Sequence, residues 1–180
     1  MTSPKRLTRI AGLLYLIVGL FGACVIAYVS ARVYIPGDAA ATAQNVRANA
    51  GLVRVGAIAD LLQATVFVFL AMVLYEPIFH VNKNLARAMA IVVAIATALL
   101  CFNAIFQFAA LLVATAGLYM GAFGAAGSNA LVLLLLDMHY DGFLIAQIFF
   151  GLWLAPLVYF AYVSSIARLP GRRFVQHMSH

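Results

Sequence analysis

The chain has 180 residues, 66% of them hydrophobic and 9% charged, with a mean hydropathy of +1.06 and a formal net charge of +6. Soluble domains average roughly 45–50% apolar and about 25% charged residues, so too few polar groups exist here to cover the hydrocarbon of a water-soluble fold. These figures exclude a soluble domain and predict an all-α bundle with the bilayer as its solvent, a single integral-membrane domain over residues 1–180. The basic residues stand at the ends of apolar runs instead of clustering on one polar face. That excludes a nucleic-acid partner and fits headgroup contacts with membrane lipid.

A spanning helix needs about 20 apolar residues to cross roughly 30 Å of hydrocarbon. Four runs qualify, at about 8–33, 52–75, 85–116 and 141–166. The first has a basic start, but its apolar run exceeds the roughly 7–15 residues of a signal-peptide core, so it is expected to stay as a span. Along it Gly19, Ala23, Ala27 and Ala31 form a small-residue stripe, which predicts close helix packing. Pro36-Gly37 then breaks the helix, and Asp38 offers an N-cap to a short polar helix. "YEPIFHVNKN" separates the second and third runs, and His80 in it is expected to be solvated beside Glu76 and Lys83. The third run is long enough to tilt or to project from the membrane. Cys24 and Cys101 lie inside apolar runs, where lone cysteines act as small hydrophobes.

After the third run, "AGLYMGAFGAAG" reads as a glycine-rich connection and "SNALVLLLLDM" as an interfacial or partly re-entrant helix too short to span. The fourth run carries a second short stripe, Gly151 and Ala155, and Pro156 is expected to kink it. Trp153, Tyr159 and Tyr162 fit an interfacial aromatic belt.

Orientation follows from lysine and arginine placement. With the N-terminus inside, Lys5, Arg6, Arg9, Lys83, Arg87, Arg168, Arg172 and Arg173 fall on the inner side. Arg32, Arg47 and Arg54 fall on the outer side, which completes the 11 basic residues. Both termini are expected in the cytoplasm.

The residues at this point resemble a known family. "RIAGLLYLIVGLFG", "IPGDAAATAQN", "RVGAIADLL", "VNKNLA" and "FLIAQIFFGLWL" follow, in order, the landmarks of a bacterial multi-pass membrane family catalogued as a domain of unknown function, numbered four-three-eight-six. The similarity covers Arg9 to about Pro170. The resemblance implies a small inner-membrane protein without an assigned activity. It carries His139 over from the family's "H-x-Y-G-Y" region, while Asp141 departs from it. Family members continue past a Pro-Arg element into a further helix, where this chain reads "LPGRRFVQHMSH". The resemblance therefore implies a missing last helix and an exposed groove for a partner.

Polar side chains inside spans mark function or interhelical hydrogen bonding. Asp60 lies about nine residues into span two, roughly 13 Å deep at 1.5 Å per residue. Antiparallel threading puts Asp60, Gln63, Asn103, Gln107 and Gln147 in one layer of the outer leaflet, with Asn103 and Gln107 sharing a helix face. Either these groups bond across helices at about 0.6–2 kcal/mol each, or they line an outward-facing pocket for a small polar ligand or a proton. Asp137, His139 and Asp141, with Arg32 and Arg54, form a second, outer cluster. On a helix, Asp137 and Asp141 face one way and His139 the other. In an extended stretch all three share a side and suit a divalent metal, but the ligand pattern is sparse, and neither metal nor cofactor is expected. The preferred reading is a water boundary at which Asp137 or Asp141 caps the start of span four.

No Ser-His-Asp order, paired catalytic carboxylates or HExxH occurs, and no catalytic residue is assigned. The leading expectation is a non-enzymatic accessory or stabilising subunit that binds partner helices, lipid or pigment, as part of a larger membrane complex or a homo-oligomer. The alternative is a membrane-embedded enzyme or a small-solute or proton carrier using the outer polar pocket.

Overall fold

Residues 4–166 are described by a computed structural model. They are almost entirely helical, in the order α1 (Pro4–Cys24), a π-helical segment (Val25–Ser30), α2 (Ala31–Val33), α3 (Ala39–Ala48), α4 (Ala50–Val81), α5 (Lys83–Thr115), α6 (Gly117–Leu152) and α7 (Leu154–Ile166). In a medium without water each backbone amide must find its partner inside its own segment, and helices achieve this. Four helical stretches are long and apolar enough to cross a membrane: Arg9–Val33, Ala50–Val81, Lys83–Thr115 and Gly117–Val163. The bundle's outer face carries exposed Leu13, Leu16, Leu20, Val55, Met72, Ile91, Ile148 and Val158, as a lipid solvent requires.

The core runs the length of the bundle in two main clusters. At one end Ala11 and Val18 meet Phe67, Leu70, Ile78, Ala86, Met89 and Trp153. At the other Val29 and Val33 meet Val46, Val53, Leu111, Val132 and Leu136. The second end is capped by α3, which buries Thr42, Ala43 and Val46. Asp38 caps α3 by accepting from the Ala41 amide at 2.9 Å, and the Thr42 hydroxyl fixes the preceding turn through the Ile35 backbone at 3.0–3.1 Å. Arg47 crosses from α3 to the Ala114 carbonyl (3.1 Å) and to Asn129 Oδ1 (2.5 Å). Arg6, Arg9, Lys83 and Arg87 lie towards the first end, while Arg32, Arg47 and Arg54 lie towards the capped end. Arg168, Arg172 and Arg173 fall outside the described residues.

Several expectations are corrected. The second span runs past residue 75 to Val81, straight through Pro77. Only one hydrogen bond is lost there, near a helix end where Asn82 then caps α5 by accepting from Asn84 and Leu85. Residues 117–140 are neither a loose connection nor a short interfacial helix. Gly124, with φ +70 and ψ 175, makes a sharp kink, and helix then continues unbroken to Leu152. The break at Trp153 lies just before Pro156, whose missing amide leaves Leu152 without its partner one turn back. The helix is interrupted at Trp153, three residues before the Pro156 at which a kink is expected, and the fourth span starts earlier than the sequence implies.

The small-residue stripes are also reassigned. Gly19, Ala23, Ala27 and Ala31 are exposed, as are Gly151 and Ala155. The first helix instead presents Ala11, Val18, Val25, Val29 and Val33 to the core, and the π-helical segment adds one residue to the turn that links those halves. Trp153 is not an interfacial anchor: it is 1% exposed, edge-on to Phe67 at 4.9 Å. Tyr159 and Tyr162 are exposed. His80 is exposed, 3.2 Å from Glu76, as expected of a solvated pair.

Candidate functional site

Polar side chains in the middle of the bundle gather at two places. The first is where α4, α5 and α6 meet near the capped end. Asp60, Asn103 and Gln107 are each at most 5% exposed. Glycine at 142 lets α5 approach α6, because a Cβ there would overlap Asn103 Oδ1. In that space the Asn103 amide donates to the His139 carbonyl at 2.7 Å, and His139 Nδ1 faces the Asn103 carbonyl at 3.2 Å. His139 is thus held twice by one residue, once at its backbone carbonyl and once at its ring. Its far nitrogen, Nε2, faces Asp60 Oδ2 at 3.9 Å, too far for a direct hydrogen bond.

A cavity of about 130 Å³ lies against Asp60 and His139, with Ser30, Tyr140, Phe143 and Leu144 in its wall. A smaller one of about 20 Å³ is lined by Ser30, Tyr34, Gln107, His139 and Tyr140. Tyr34, just past α2, closes this end: its hydroxyl donates to Asp137 Oδ1 at 2.5 Å and its ring stacks on Tyr140. That hydrogen bond, followed by burial and the Asp137 charge, pushes the Tyr34 phenol up to about 12.

The second place is a cleft between α1 and the α6–α7 break, about 470 Å³, opening sideways from the bundle. Tyr15, Phe67, Phe143, Phe150 and Trp153 form its apolar walls, and Gly19, Ala23 and Gly151 its rim. Gln63 and Gln147 supply its polar atoms. Gln63 is 5% exposed, and its Oε1 has no hydrogen-bond partner among the described residues. Gly22 makes room for that amide, since a Cβ at 22 would lie 3.1 Å from Gln63 Nε2.

The predicted layer of five is therefore divided. Asp60, Asn103 and Gln107 surround the His139 site, whereas Gln63 and exposed Gln147 belong to the cleft. The outer cluster is not a cluster. Asp137 bonds Tyr34, His139 turns inward to Asp60, and Asp141 is exposed beside Met138 and Gly142. All three sit within α6, so neither aspartate caps a helix start and the extended metal-ligand geometry does not form. Arg32 lies 3.9 Å over the Tyr28 ring, and Arg54 is exposed. Ser30 and Tyr34 are additions that the sequence did not mark, since their partners lie on other helices, and Tyr140 and Phe143 stood only as neighbours of His139 in the family's motif region. Asp60, Asn103, Gln107 and His139 did carry a signal, as polar groups inside apolar runs, and His139 also through its family resemblance.

Neither the curated proteins nor the solved structures give a match to this chain. The family described as Domain of unknown function (DUF4386) matches residues 10–168. With the match spanning nearly the whole bundle, the chain belongs to that family.

Proposed function

We propose that this protein is a non-enzymatic accessory component of the bacterial inner membrane, with both termini cytoplasmic, whose lateral cleft takes up a single lipid-type amphiphile. The observation that carries this reading is the buried, unpartnered Gln63 Oε1 beside a cleft walled by aromatic rings and small apolar residues. An acceptor buried without a partner costs about 1–3 kcal/mol, which a ligand donor relieves. The occupant therefore has an apolar body for the aromatic walls and a hydroxyl, amide or ammonium group for Gln63 and Gln147. Its access is sideways, from the bilayer. The exposed stripe at the cleft rim, Gly19 and Ala23, also suits close approach of a neighbouring helix, from a partner protein or a second copy. Sidedness rests on the excess of lysine and arginine at the end holding the N-terminus.

Native mass spectrometry from mild detergent tests the reading. The wild-type chain should retain one lipid adduct of defined mass. Gln63→Leu should weaken retention roughly fivefold, the worth of one net hydrogen bond of about 1 kcal/mol, and Gly19→Trp should abolish it. A broad, equal ladder of adducts on all three proteins would refute the site.

The alternative, an embedded enzyme or a carrier, draws on a different observation: Asp60 faces His139 across a cavity.

A further inference from the structure

The His139 site has a feature that the lipid cleft does not use. A backbone carbonyl only accepts hydrogen bonds, so the contact of His139 Nδ1 with the Asn103 carbonyl at 3.2 Å places a proton on Nδ1. The second ring nitrogen is then where a proton comes and goes. That nitrogen, Nε2, is the one that looks at Asp60 Oδ2. The 3.9 Å gap and the adjoining 130 Å³ allow for water, at about 30 Å³ per molecule, with Asp60, His139, Ser30 and Tyr140 as its polar partners. The second cavity, about 20 Å³, is large enough for one water, which needs roughly 10–15 Å³. Ser30, His139 and Tyr140 line both cavities, so the two are consecutive compartments around one imidazole. The smaller one reaches Tyr34, whose hydroxyl meets Asp137 at the capped end.

The charged and titratable groups around this path are few. From α4 comes Asp60, from α6 come His139, Tyr140 and Asp137, and from the end of the first helix comes Tyr34. The nearby stretch of α5 offers only the amides Asn103 and Gln107. Arg32 is on Tyr28, Arg54 and Asp141 are exposed, and Asp60 has no arginine or lysine partner among the described residues.

We propose that Asp60 and His139 together are a binding site for one proton, exchanged with water at the capped end by way of Tyr34, Ser30 and Tyr140. In the step, a hydronium ion at that end becomes water, and the pair gains the proton. The charge of the site goes from −1 to zero, with the new hydrogen on the Asp60 carboxyl and linked to Nε2 through the water that fits the 3.9 Å gap, so that the two groups titrate as one unit. Release reverses the step. This inference does not rest on the amphiphile in the cleft, since the two sites have different polar groups and share only the Phe143 wall.

Infrared difference spectroscopy of the purified protein in nanodiscs, across a pH step in H2O and in D2O, tests it. The wild type should show a protonated-carboxyl stretch that moves with deuterium and varies with pH, coupled to imidazole bands. Asp60→Asn should remove that band, and potentiometric titration should find one proton fewer per chain. His139→Gln should leave the carboxyl band but uncouple it from imidazole. Tyr34→Phe should slow exchange after a pH jump about tenfold while leaving the number of protons unchanged. The wild-type spectrum alone keeps the test decisive if a variant fails to fold. Absence of any pH-dependent carboxyl band in the wild type, or its survival in Asp60→Asn, overturns the proposal. An unchanged exchange rate in Tyr34→Phe overturns the path.

Discussion

Asn103 shows how much a single side chain is asked to do in this bundle. It occupies the space beside Gly142, donates to the His139 carbonyl, and offers its own carbonyl to the imidazole. Gly142→Ala would force the Asn103 carboxamide out of that space, and overpacking of this kind costs about 1–3 kcal/mol. Thermal unfolding in detergent should register the loss, and Asn103→Ala in the same background should recover part of it. At Tyr34 the stabilisation depends on pH. Its phenol is raised from 10.0 to about 12 in the folded protein, so its contribution is fully present below about pH 10. Above that the unfolded chain loses its proton first, and the contribution fades as pH rises towards 12. The stability difference between wild type and Tyr34→Phe should therefore shrink over that window. Of these residues, Asp60, Asn103 and Gln107 were legible in the sequence, because carboxyl and amide groups inside apolar runs are conspicuous. Tyr34 was not, because its partner Asp137 lies 103 positions away and no spacing rule links them.

Among the elements, α6 departs most from what hydropathy implies. The apolar core "LVLLLL" is too short to span, and the polar "DMHYDG" after it looks like a boundary. Yet one helix contains both, because α3 and the end of the first helix shield its capped-end half, and Tyr34 and Asn103 satisfy its polar groups. Hydropathy measures lipid exposure; it has no knowledge of neighbours that supply hydrogen bonds. The α5 helix shows the same effect in length. Its 33 residues span about 50 Å, against roughly 30 Å of hydrocarbon, a length that calls for tilt or for projection beyond the hydrocarbon. The kink that lets α6 return is confined to Gly124, whose φ of +70 and ψ of 175 suit glycine almost alone. Gly124→Ala should cost about 1–3 kcal/mol and raise proteolytic cleavage near the turn. Gly121→Ala, in regular helix with open space around it, should be neutral or stabilising by up to about 1 kcal/mol. If both substitutions behave alike, the kink is not what holds the turn.

For the molecule as a whole, composition alone determined that lipid is the solvent, and the exposed leucines, isoleucines and valines of every long helix agree with it. High-salt or alkaline washing of membranes should leave the protein in the pellet, and only detergent should release it; recovery in the wash would contradict the bundle's embedding. What composition left open is where the bundle is imperfectly filled. That depends on which helix faces meet, and the π-helical segment and the Gly124 kink both turn helix faces away from simple periodicity. One side chain joins the two unfilled regions. The ring of Phe143 is a wall of the sideways cleft and also of the cavity against Asp60 and His139. A partition shared by two chambers cannot be moved for one without resizing the other. Any occupant that displaces the ring alters the hydration of the carboxyl–imidazole pair, and by thermodynamic reciprocity the state of that pair alters the occupant's affinity by the same factor. Phe143→Ala should remove the shared wall and join the two chambers, so that an occupant of one no longer acts on the other through the ring.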